Sequence, residues 1–224
     1  MREIDGNTYC FGDDALLLYG WISYGGGLYY SGQDGAVCKG ETMIDGKKYY
    51  FDPDGVMLRD TEYSIFRFDS NGVATQLLAS LENLDDYLDY LLSVNTGDDG
   101  FARIWYGVRS LITYKYMEVK NFSAEIRREL SVEALNRGTG SYYHFSSLTF
   151  CLFEKLGYDV RLVRGYDPFG YDHWWICVRT EPDGQLYYCD PVYSLTAGQT
   201  YKMTYDVMTS YGYRLTLPAT FDQG

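Results

Sequence analysis

The sequence has few basic residues, few prolines and no long apolar segment. Its 19 lysines and arginines stand against 31 aspartates and glutamates, which gives a net charge of −12 over 224 residues. A nucleic-acid-binding surface must be basic to displace counterions, so this balance argues against a nucleic-acid partner. The same charge disfavours anionic membranes. The composition therefore indicates a well-solvated acidic protein, and attraction to a cationic ligand needs evidence of its own.

Signals for membrane insertion and export are also lacking. The uncharged stretch at residues 15–33 contains five glycines, so we expect no membrane insertion there. Residues 1–6 lack the basic region followed by an apolar region that marks a signal peptide. We therefore expect either a chain that is not exported as it stands or a fragment that begins inside a longer array.

The cysteines do not form a recognisable framework. There are five of them, without the spacing of a zinc site or of a disulfide-rich domain, so we expect no metal and no organic cofactor. Cys177 and Cys189 flank a predicted turn at residues 181–184 and could lie on facing strands. Whether they form a disulfide stays open at this point.

Tyrosine and glycine are abundant, with 25 and 24 residues against 5 prolines, and part of this excess is periodic. Three residue types recur at a spacing of twenty: Tyr9, Tyr29 and Tyr49; Gly6, Gly26 and Gly46; Asp14, Asp34 and Asp54. Each unit predicts a β-hairpin, in which an Asp-Gly or Gly-Gly turn precedes an aromatic strand. Residues 1–75 are therefore predicted to form a short β-solenoid of stacked hairpins.

This pattern resembles the choline- and glucan-binding cell-wall repeats of Gram-positive surface proteins. The resemblance implies a cell-wall glycan or choline as partner and an extracellular or cell-surface location. Aromatic faces attract quaternary ammonium groups and stack on sugars. The candidate contacts are Trp21, Tyr29, Tyr30, Tyr49 and Tyr50. Alternatively, the tyrosines form only the stacking core between hairpins.

The aromatic residues typical of such cages are sparse here. The Gly-Trp pair of the family is present only at Gly20-Trp21. Glu41 and Thr61 occupy the matching tryptophan positions in the following units. The tryptophan that usually precedes the Tyr-Tyr pair is replaced as well, by Thr8, Leu28 and Lys48.

Residues 76–224 show a different pattern. Leucines and a tyrosine recur at helical spacing over residues 84–91, and further helices are predicted near residues 101–114 and 141–156. The last of these has one predicted apolar face: Tyr142, Phe145, Leu148, Thr149, Leu152 and Leu156. Strands are predicted at residues 160–164, 173–178 and 186–190, the last two as an antiparallel pair. Helices followed by an antiparallel sheet predict an α+β fold.

The motifs in this region resemble those of the transglutaminase-like domain, which has a papain-like cysteine proteinase fold. The family signature is Gly-x-Cys at the start of a helix, then Leu-Gly with a following Arg-x-Val-x-Gly, then His-x-Trp, then Asp-Pro. The matching residues here are Gly140-Ser141-Tyr142, Leu156-Gly157-Tyr158-Asp159-Val160-Arg161-Leu162-Val163-Arg164-Gly165, His173-Trp174-Trp175 and Asp190-Pro191. The resemblance implies that His173 is the general base and Asp190 the residue that orients it.

The departure from the family is Tyr142, which occupies the position of the nucleophilic cysteine. A free tyrosine has a pKa near ~10, so only about a thousandth of it is ionised at neutral pH. Cys151 lies about 900° further around the same helix, on the opposite face. Ser141 and His144 also point away from the position of Tyr142 on this helix.

We therefore expect a non-catalytic transglutaminase-like domain on a cell-wall-binding repeat module. Tyr142, Trp174 and Trp175 would offer stacking surface for a peptide or glycan, and His173 a polar contact. One alternative is an active cysteine-type acyltransferase or peptidase that uses an unrecognised nucleophile. Another is a structural surface-adhesion module whose contacts lie on the repeats. His173 and Asp190 also fit a simple hydrogen-bonded pair of strand residues, and nothing in the sequence indicates an oligomeric state.

Overall fold

The computed structural model describes residues 1–95, 99–123, 125–180, 184–193 and 200–216. The chain divides into two compact units, Met1–Leu77 and Leu78–Gly224. The boundary predicted from the sequence lies after residue 75, close to the observed boundary after Leu77. Among the described residues no helix combines the length and the apolar character needed to cross a bilayer.

The first unit is a series of β-hairpins, in agreement with the predicted repeats. Its strands are β1 (Arg2–Ile4), β2 (Asn7–Tyr9), β3 (Gly20–Tyr24), β4 (Gly27–Ser31), β5 (Gly40–Ile44), β6 (Lys47–Phe51), β7 (Thr61–Tyr63), β8 (Phe66–Phe68) and β9 (Ala74–Gln76). They pair in sequence order as antiparallel hairpins, and β9 adds a third strand to the last one.

The turns explain why the hairpins form where they do. The first three hairpins turn on Asp5-Gly6, Gly25-Gly26 and Asp45-Gly46, and both residues of each pair have positive φ. Two-residue turns of this type require positive φ at both positions, which glycine and aspartate tolerate best. The predicted turn residues are therefore confirmed.

Backbone hydrogen bonds join successive hairpins with the same period as the sequence. The Val37 N–H donates to the Thr8 carbonyl and the Met57 N–H donates to the Leu28 carbonyl, both at 2.8 Å. Donors and acceptors are each separated by twenty residues, so the sequence repeat is also the structural repeat. One core cluster of this unit consists of Ile44, Tyr49, Phe51 and Met57. A single hairpin could not bury these side chains alone.

The second unit has an α+β architecture, as the order of predicted elements indicated. Its main elements are α1 (Leu84–Val94), α2 (Gly100–Leu111), β10 (Thr113–Tyr114), α3 (Arg127–Arg137), β11 (Thr139–Gly140), α4 (Tyr142–Lys155), β12 (Asp159–Tyr166), β13 (Asp172–Arg179), β14 (Leu186–Cys189), α5 (Tyr205–Ser210) and β15 (Arg214–Leu215). The strand order β14-β13-β12-β15 forms an antiparallel sheet. Residues 181–183 of the predicted turn lie outside the described residues.

The sheet is buried on both faces. Ile176, Val178 and Cys189 point into a core shared with α1, α2 and α4, which we call the helical face. Trp175 and Cys177 point to the other face and pack with residues such as Met208 and Tyr213, which we call the α5 face. Successive residues of a strand alternate between faces, which determines where each functional side chain points.

This alternation answers the question about the two cysteines. Cys177 pairs in register with Tyr188, and Cys189 pairs with Ile176. Their side chains therefore lie on opposite faces of the sheet, and both thiols are free. The strands face each other as proposed, but the register prevents a disulfide.

The helix α4 is more deeply buried than an amphipathic helix. All residues from His144 to Phe153 are buried, because α3 packs on one side and the sheet on another. Leu156, predicted to lie on the apolar face, is 38% exposed. The helix α3 was not predicted, since its buried stripe consists only of Leu130, Ser131 and Ala134.

Candidate functional site

The N-terminus of α4 and the start of β13 meet in the second unit. Ser141 is the residue before the helix, and Tyr142 is its first residue. The Ser146 hydroxyl donates to the Trp174 carbonyl at 2.7 Å and so joins the first turns of α4 to β13. This connection positions Tyr142 beside His173, with ring centroids 5.1 Å apart in an edge-to-face arrangement.

His173 and Asp190 contact each other, as the strand pairing predicted. His173 Nε2 lies 2.9 Å from Asp190 Oδ2, and both side chains are buried. The same Oδ2 accepts the Tyr213 hydroxyl at 2.7 Å, and Oδ1 accepts the Val192 N–H at 2.9 Å. An ionised carboxylate only accepts hydrogen bonds, so with Asp190 as the carboxylate the contact is a hydrogen bond donated by the Nε2–H of His173.

The helix α2 supports the end of β14 from the helical face. The Trp105 indole donates to the Asp190 carbonyl at 2.9 Å. The Arg109 guanidinium, one turn later, donates to the carbonyls of Pro191 and Val192, both at 2.9 Å. Neither these residues nor Tyr213 were predicted from the sequence. The only sequence signal was the i,i+4 spacing of Trp105 and Arg109, whose guanidinium lies 4.7 Å from the indole centroid.

Tyr142 lies at the helix N-terminus, but its hydroxyl does not engage the imidazole. It donates to the Tyr143 hydroxyl at 3.0 Å instead. Burial, and then this hydrogen bond, raise the pKa of Tyr142 well above its usual value. The phenol is therefore neutral at physiological pH, and its ring occupies space beside His173.

Three buried thiols, those of Cys151, Cys177 and Cys189, lie in the second unit. Cys151 accepts a hydrogen bond from Ser131 at 3.6 Å, on the α3 side of α4. Burial raises the pKa of Cys151, raises that of Cys177 to about 12 and raises that of Cys189 well above its usual value. In the described residues no hydrogen bond joins a thiol to His173. None of these cysteines has the features of an activated nucleophile.

A cavity of about 470 Å³ opens beside His173. Five tyrosines and two aspartates form most of its lining: Tyr114, Tyr116, Tyr142, Tyr171, Tyr193, Asp167 and Asp172. The Tyr193 ring lies 5.2 Å from the His173 ring, and its hydroxyl donates to Asp167 at 2.6 Å. The residues around the cavity thus come from β10, α4, β13 and the segments that follow β12 and β14.

The two tryptophans expected to offer stacking surface behave differently. Trp175 is 0% exposed and packs on the α5 face against Tyr213, so that prediction was wrong for Trp175. It lies two residues after His173 on the same face of β13, where Met208 of α5 and Tyr213 cover the sheet. Trp174 points to the helical face, is half-buried and contacts Phe122 edge-to-face with ring centroids 4.9 Å apart.

The second histidine of the chain, His144, lies under the first turn of α4. The Ser141 N–H donates to His144 Nδ1 at 3.3 Å, and the Ser141 hydroxyl lies 3.2 Å from the same nitrogen. His144 Nε2 lies 3.6 Å from Glu133 and is buried, with no hydrogen-bond partner among the described residues. Burial lowers the pKa of His144. This histidine stabilises the start of the helix.

In the first unit, Trp21 joins two hairpins. Its ring lies 5.0 Å from Tyr30, across the same hairpin, and 5.0 Å from Tyr49 of the next one, in both cases edge-to-face. Trp21 is 42% exposed, whereas Tyr49 is buried. Tyr49 thus belongs to the core, and Tyr29 packs near the turn at Gly55 in the next repeat. The exposed face of Trp21 and the half-buried ring of Tyr30 are therefore the part of this cluster that solvent can reach.

The equivalent position one repeat later is occupied by charged residues. Glu41 replaces the tryptophan and pairs with Lys48 at 2.7 Å. The Lys48 ammonium lies 4.4 Å from the centroid of the Phe66 ring. Tyr50 stacks on Tyr63, with ring centroids 4.7 Å apart. A cation of the protein itself therefore lies over an aromatic ring in this part of the repeats.

Comparison with known proteins bears on the first unit. Residues 43–57 match the family model of the choline-binding type of cell wall binding repeat. This segment contains β6 and the turn that follows it, in which the Asp52 carboxylate accepts the N–H groups of Asp54 and Val56. A search of curated proteins gave no match.

Solved structures give partial matches. Choline binding protein F of Streptococcus pneumoniae, solved in the presence of a peptidoglycan analogue, is 22% identical over 34% of this chain and 25% of that chain, with a TM-score of 0.33. The choline binding domain of Spr1274 from the same organism is 24% identical over 34% of this chain and 92% of that chain, with a TM-score of 0.32. This chain thus covers about a quarter of choline binding protein F. The resemblance of the first unit to choline-binding cell wall repeats is confirmed for residues 43–57.

Proposed function

We propose that the second unit is a transglutaminase-like domain that has lost its nucleophile and kept a ligand-binding cleft. We further propose that the repeats attach the chain to choline or glycan of a cell wall, at the bacterial surface. The observation that carries the first proposal is the Tyr142 ring, which lies 5.1 Å from the His173 ring at the first turn of α4. A catalytic thiolate of this family would need that position, next to the positive end of the helix dipole.

The geometry favours this reading over an active cysteine enzyme. The hydrogen-bonded His173–Asp190 pair is the part of a catalytic triad that orients a base. The residue that would complete it is a neutral phenol, and the native thiols of the second unit are buried with raised pKa values. The cavity beside the pair offers aromatic surface for a bound ligand.

A cysteine substitution tests the origin of the cleft. In the Tyr142→Cys variant we expect an introduced thiol with a pKa well below the ~8.5 of a free cysteine. Adding His173→Ala should return this pKa to the normal range. The measurement is the alkylation rate of each cysteine against pH, read by mass spectrometry, with Tyr143→Cys as the matched control. A normal pKa for the thiol introduced at position 142 would contradict the proposed transglutaminase-like site.

Retention on immobilised choline tests the role of the repeats. Trp21→Leu in the full chain should lower choline-competed retention about tenfold, since the loss of one cation–π face costs about 1–2 kcal/mol. Tyr19→Leu, which removes an exposed aromatic outside the Trp21 cluster, should leave retention unchanged. Equal retention of the Trp21 variant and the unmodified chain would refute this site. Retention should also survive changes around His173, because the proposed choline contact lies on the repeats, and its loss in such variants would contradict that assignment.

A further inference from the structure

The cavity beside His173 has an unusual lining for a catalytic cleft. Its volume of about 470 Å³ suits a small molecule, since such sites span roughly 300–1,000 Å³. Tyr114, Tyr142 and Tyr193 are half-buried or nearly so, whereas Tyr116 and Tyr171 remain 67% and 70% exposed. Burial keeps the inner phenols neutral, because it raises the pKa of Tyr114, Tyr142 and Tyr193. The lining therefore presents aromatic rings with a negative electrostatic face and no phenolate.

The charge around these rings is negative. Asp167 and Asp172 line the cavity, and no described lining residue is a lysine or an arginine. Asp172 pairs with Arg164 at 2.9 Å. Asp167 is buried and takes part in no ion pair among the described residues. Asp190 adds a second buried carboxylate directly behind His173. A cation entering the cavity would meet at least one carboxylate whose charge is not compensated by a basic side chain.

The hydrogen-bonding capacity of these carboxylates is largely used. Asp167 Oδ1 accepts the N–H groups of Phe169 and Tyr171, both at 2.9 Å, and its Oδ2 accepts the Tyr193 hydroxyl at 2.6 Å. Asp172 Oδ1 accepts the Arg164 guanidinium. A primary ammonium brings three N–H donors that must be satisfied when it leaves water. A fully alkylated ammonium brings charge without donors, and aromatic faces attract it.

We propose that the cavity lined by these tyrosines binds a small quaternary ammonium ion. The rings of Tyr114, Tyr142, Tyr171 and Tyr193 would surround the alkyl groups, and Asp167 would supply the long-range charge. This inference rests on the proposed function, because it treats the cleft as a binding site and not as a reaction centre.

The experiment is a titration of the full chain with tetramethylammonium, followed by backbone amide shifts. We expect saturable shifts in residues 114–116 and 169–173. The neutral tert-butanol, of similar shape, should bind at least tenfold more weakly, and methylammonium should also bind more weakly. Shifts confined to the repeats, or equal binding of the neutral compound, would overturn the inference.

Paired substitutions at two partly exposed positions separate ring contact from folding. Tyr114→Leu with Tyr171→Leu removes two rings and should weaken binding about tenfold. Tyr114→Phe with Tyr171→Phe keeps both rings and should bind as the unmodified chain does, since the interaction uses the ring face. Tyr205→Leu, at an exposed tyrosine outside the cavity, is a further control. Unchanged affinity in the leucine variant would refute the ring contact.

The outcome is independent of the thiol test. If the Tyr142→Cys variant has a reactive thiol but the unmodified chain does not bind tetramethylammonium, only the ligand assigned here is overturned. Ammonium binding with an unreactive thiol would overturn the proposed origin of the cleft and leave the cation site standing.

Discussion

The two histidines of the chain occupy contrasting environments within the same unit. Both are buried and both face a carboxylate. His173 lies 2.9 Å from the fully buried Asp190 and lines a cavity. His144 lies 3.6 Å from the partly exposed Glu133, beneath the Ser141 N-cap. The contrast therefore lies in the carboxylates. Asp190 accepts hydrogen bonds at both of its oxygens, whereas Glu133 is partly exposed and lies beyond hydrogen-bond distance of His144.

The largest expected difference is in the free energy of unfolding, between variants of the two carboxylates Asp190 and Glu133. Asp190→Ala removes the acceptor for His173, Tyr213 and the Val192 N–H, and should destabilise the second unit by about 3 kcal/mol or more. Glu133→Ala should cost less than about 1 kcal/mol, because Glu133 is partly exposed and only near His144. Urea unfolding of the second unit measures both. Similar losses of unfolding free energy in the two variants would show that the two carboxylates contribute equally to stability.

Acid pH should affect the unit through His144. Burial lowers the pKa of His144, while Glu133 raises it and Arg137 lowers it further. The native state therefore holds the imidazole neutral, and the unfolded chain takes up a proton below its normal pKa of about 6.5. Stability should be full above this pH and should decrease towards the lower native pKa, by up to about 1.4 kcal/mol per pH unit.

The variant His144→Asn tests this expectation. Its amide oxygen can accept the Ser141 N–H, but it cannot take up a proton. Urea unfolding between pH 5 and 7 should show a shallower pH dependence than in the unmodified chain. An identical slope in both proteins would show that another group causes the acid sensitivity.

A smaller effect than that of Asp190→Ala is expected at the N-cap above His144. Ser141→Ala removes a capping side chain from α4 and should cost about 1 kcal/mol in the same unfolding measurement. Thr204→Ala at the N-cap of α5 is a matched control, because the Thr204 hydroxyl accepts the Val207 N–H at 3.4 Å. A loss in Ser141→Ala several times that of the control would mean that the hydroxyl contact to His144 contributes more than capping.

Local features of the fold were readable from the sequence. The hairpins of the first unit depend on short-range turns such as Asp45-Gly46, whose preference for positive φ is a property of the residues themselves. The pairing of β13 with β14 followed from two strand-like segments on either side of a turn. The contact between His173 and Asp190 then followed from that pairing.

Contacts between residues far apart in the sequence, and the orientation of strands buried on both faces, could not be predicted from the sequence. Trp105 and Arg109 reach residues more than eighty positions away, which no local pattern encodes. Trp175 was assigned to the cleft because a strand buried on both faces has no polar side to mark its orientation. The helix α3 was missed for a related reason, since its buried stripe is narrow and partly polar.

The contacts of Lys48 with Glu41 and Phe66 affect how many ligand groups of a polymer the repeats can bind at the same time. Polymers with repeated ligand groups are held tightly when several sites engage at once, because each further contact is intramolecular. If the exposed face of Trp21 is the ligand site of the repeats, the next aromatic position is already occupied by an internal ammonium. Of these two positions, the one at Trp21 would then be open to a ligand group of the polymer. A cation could bind over Phe66 only by displacing the Lys48 ammonium.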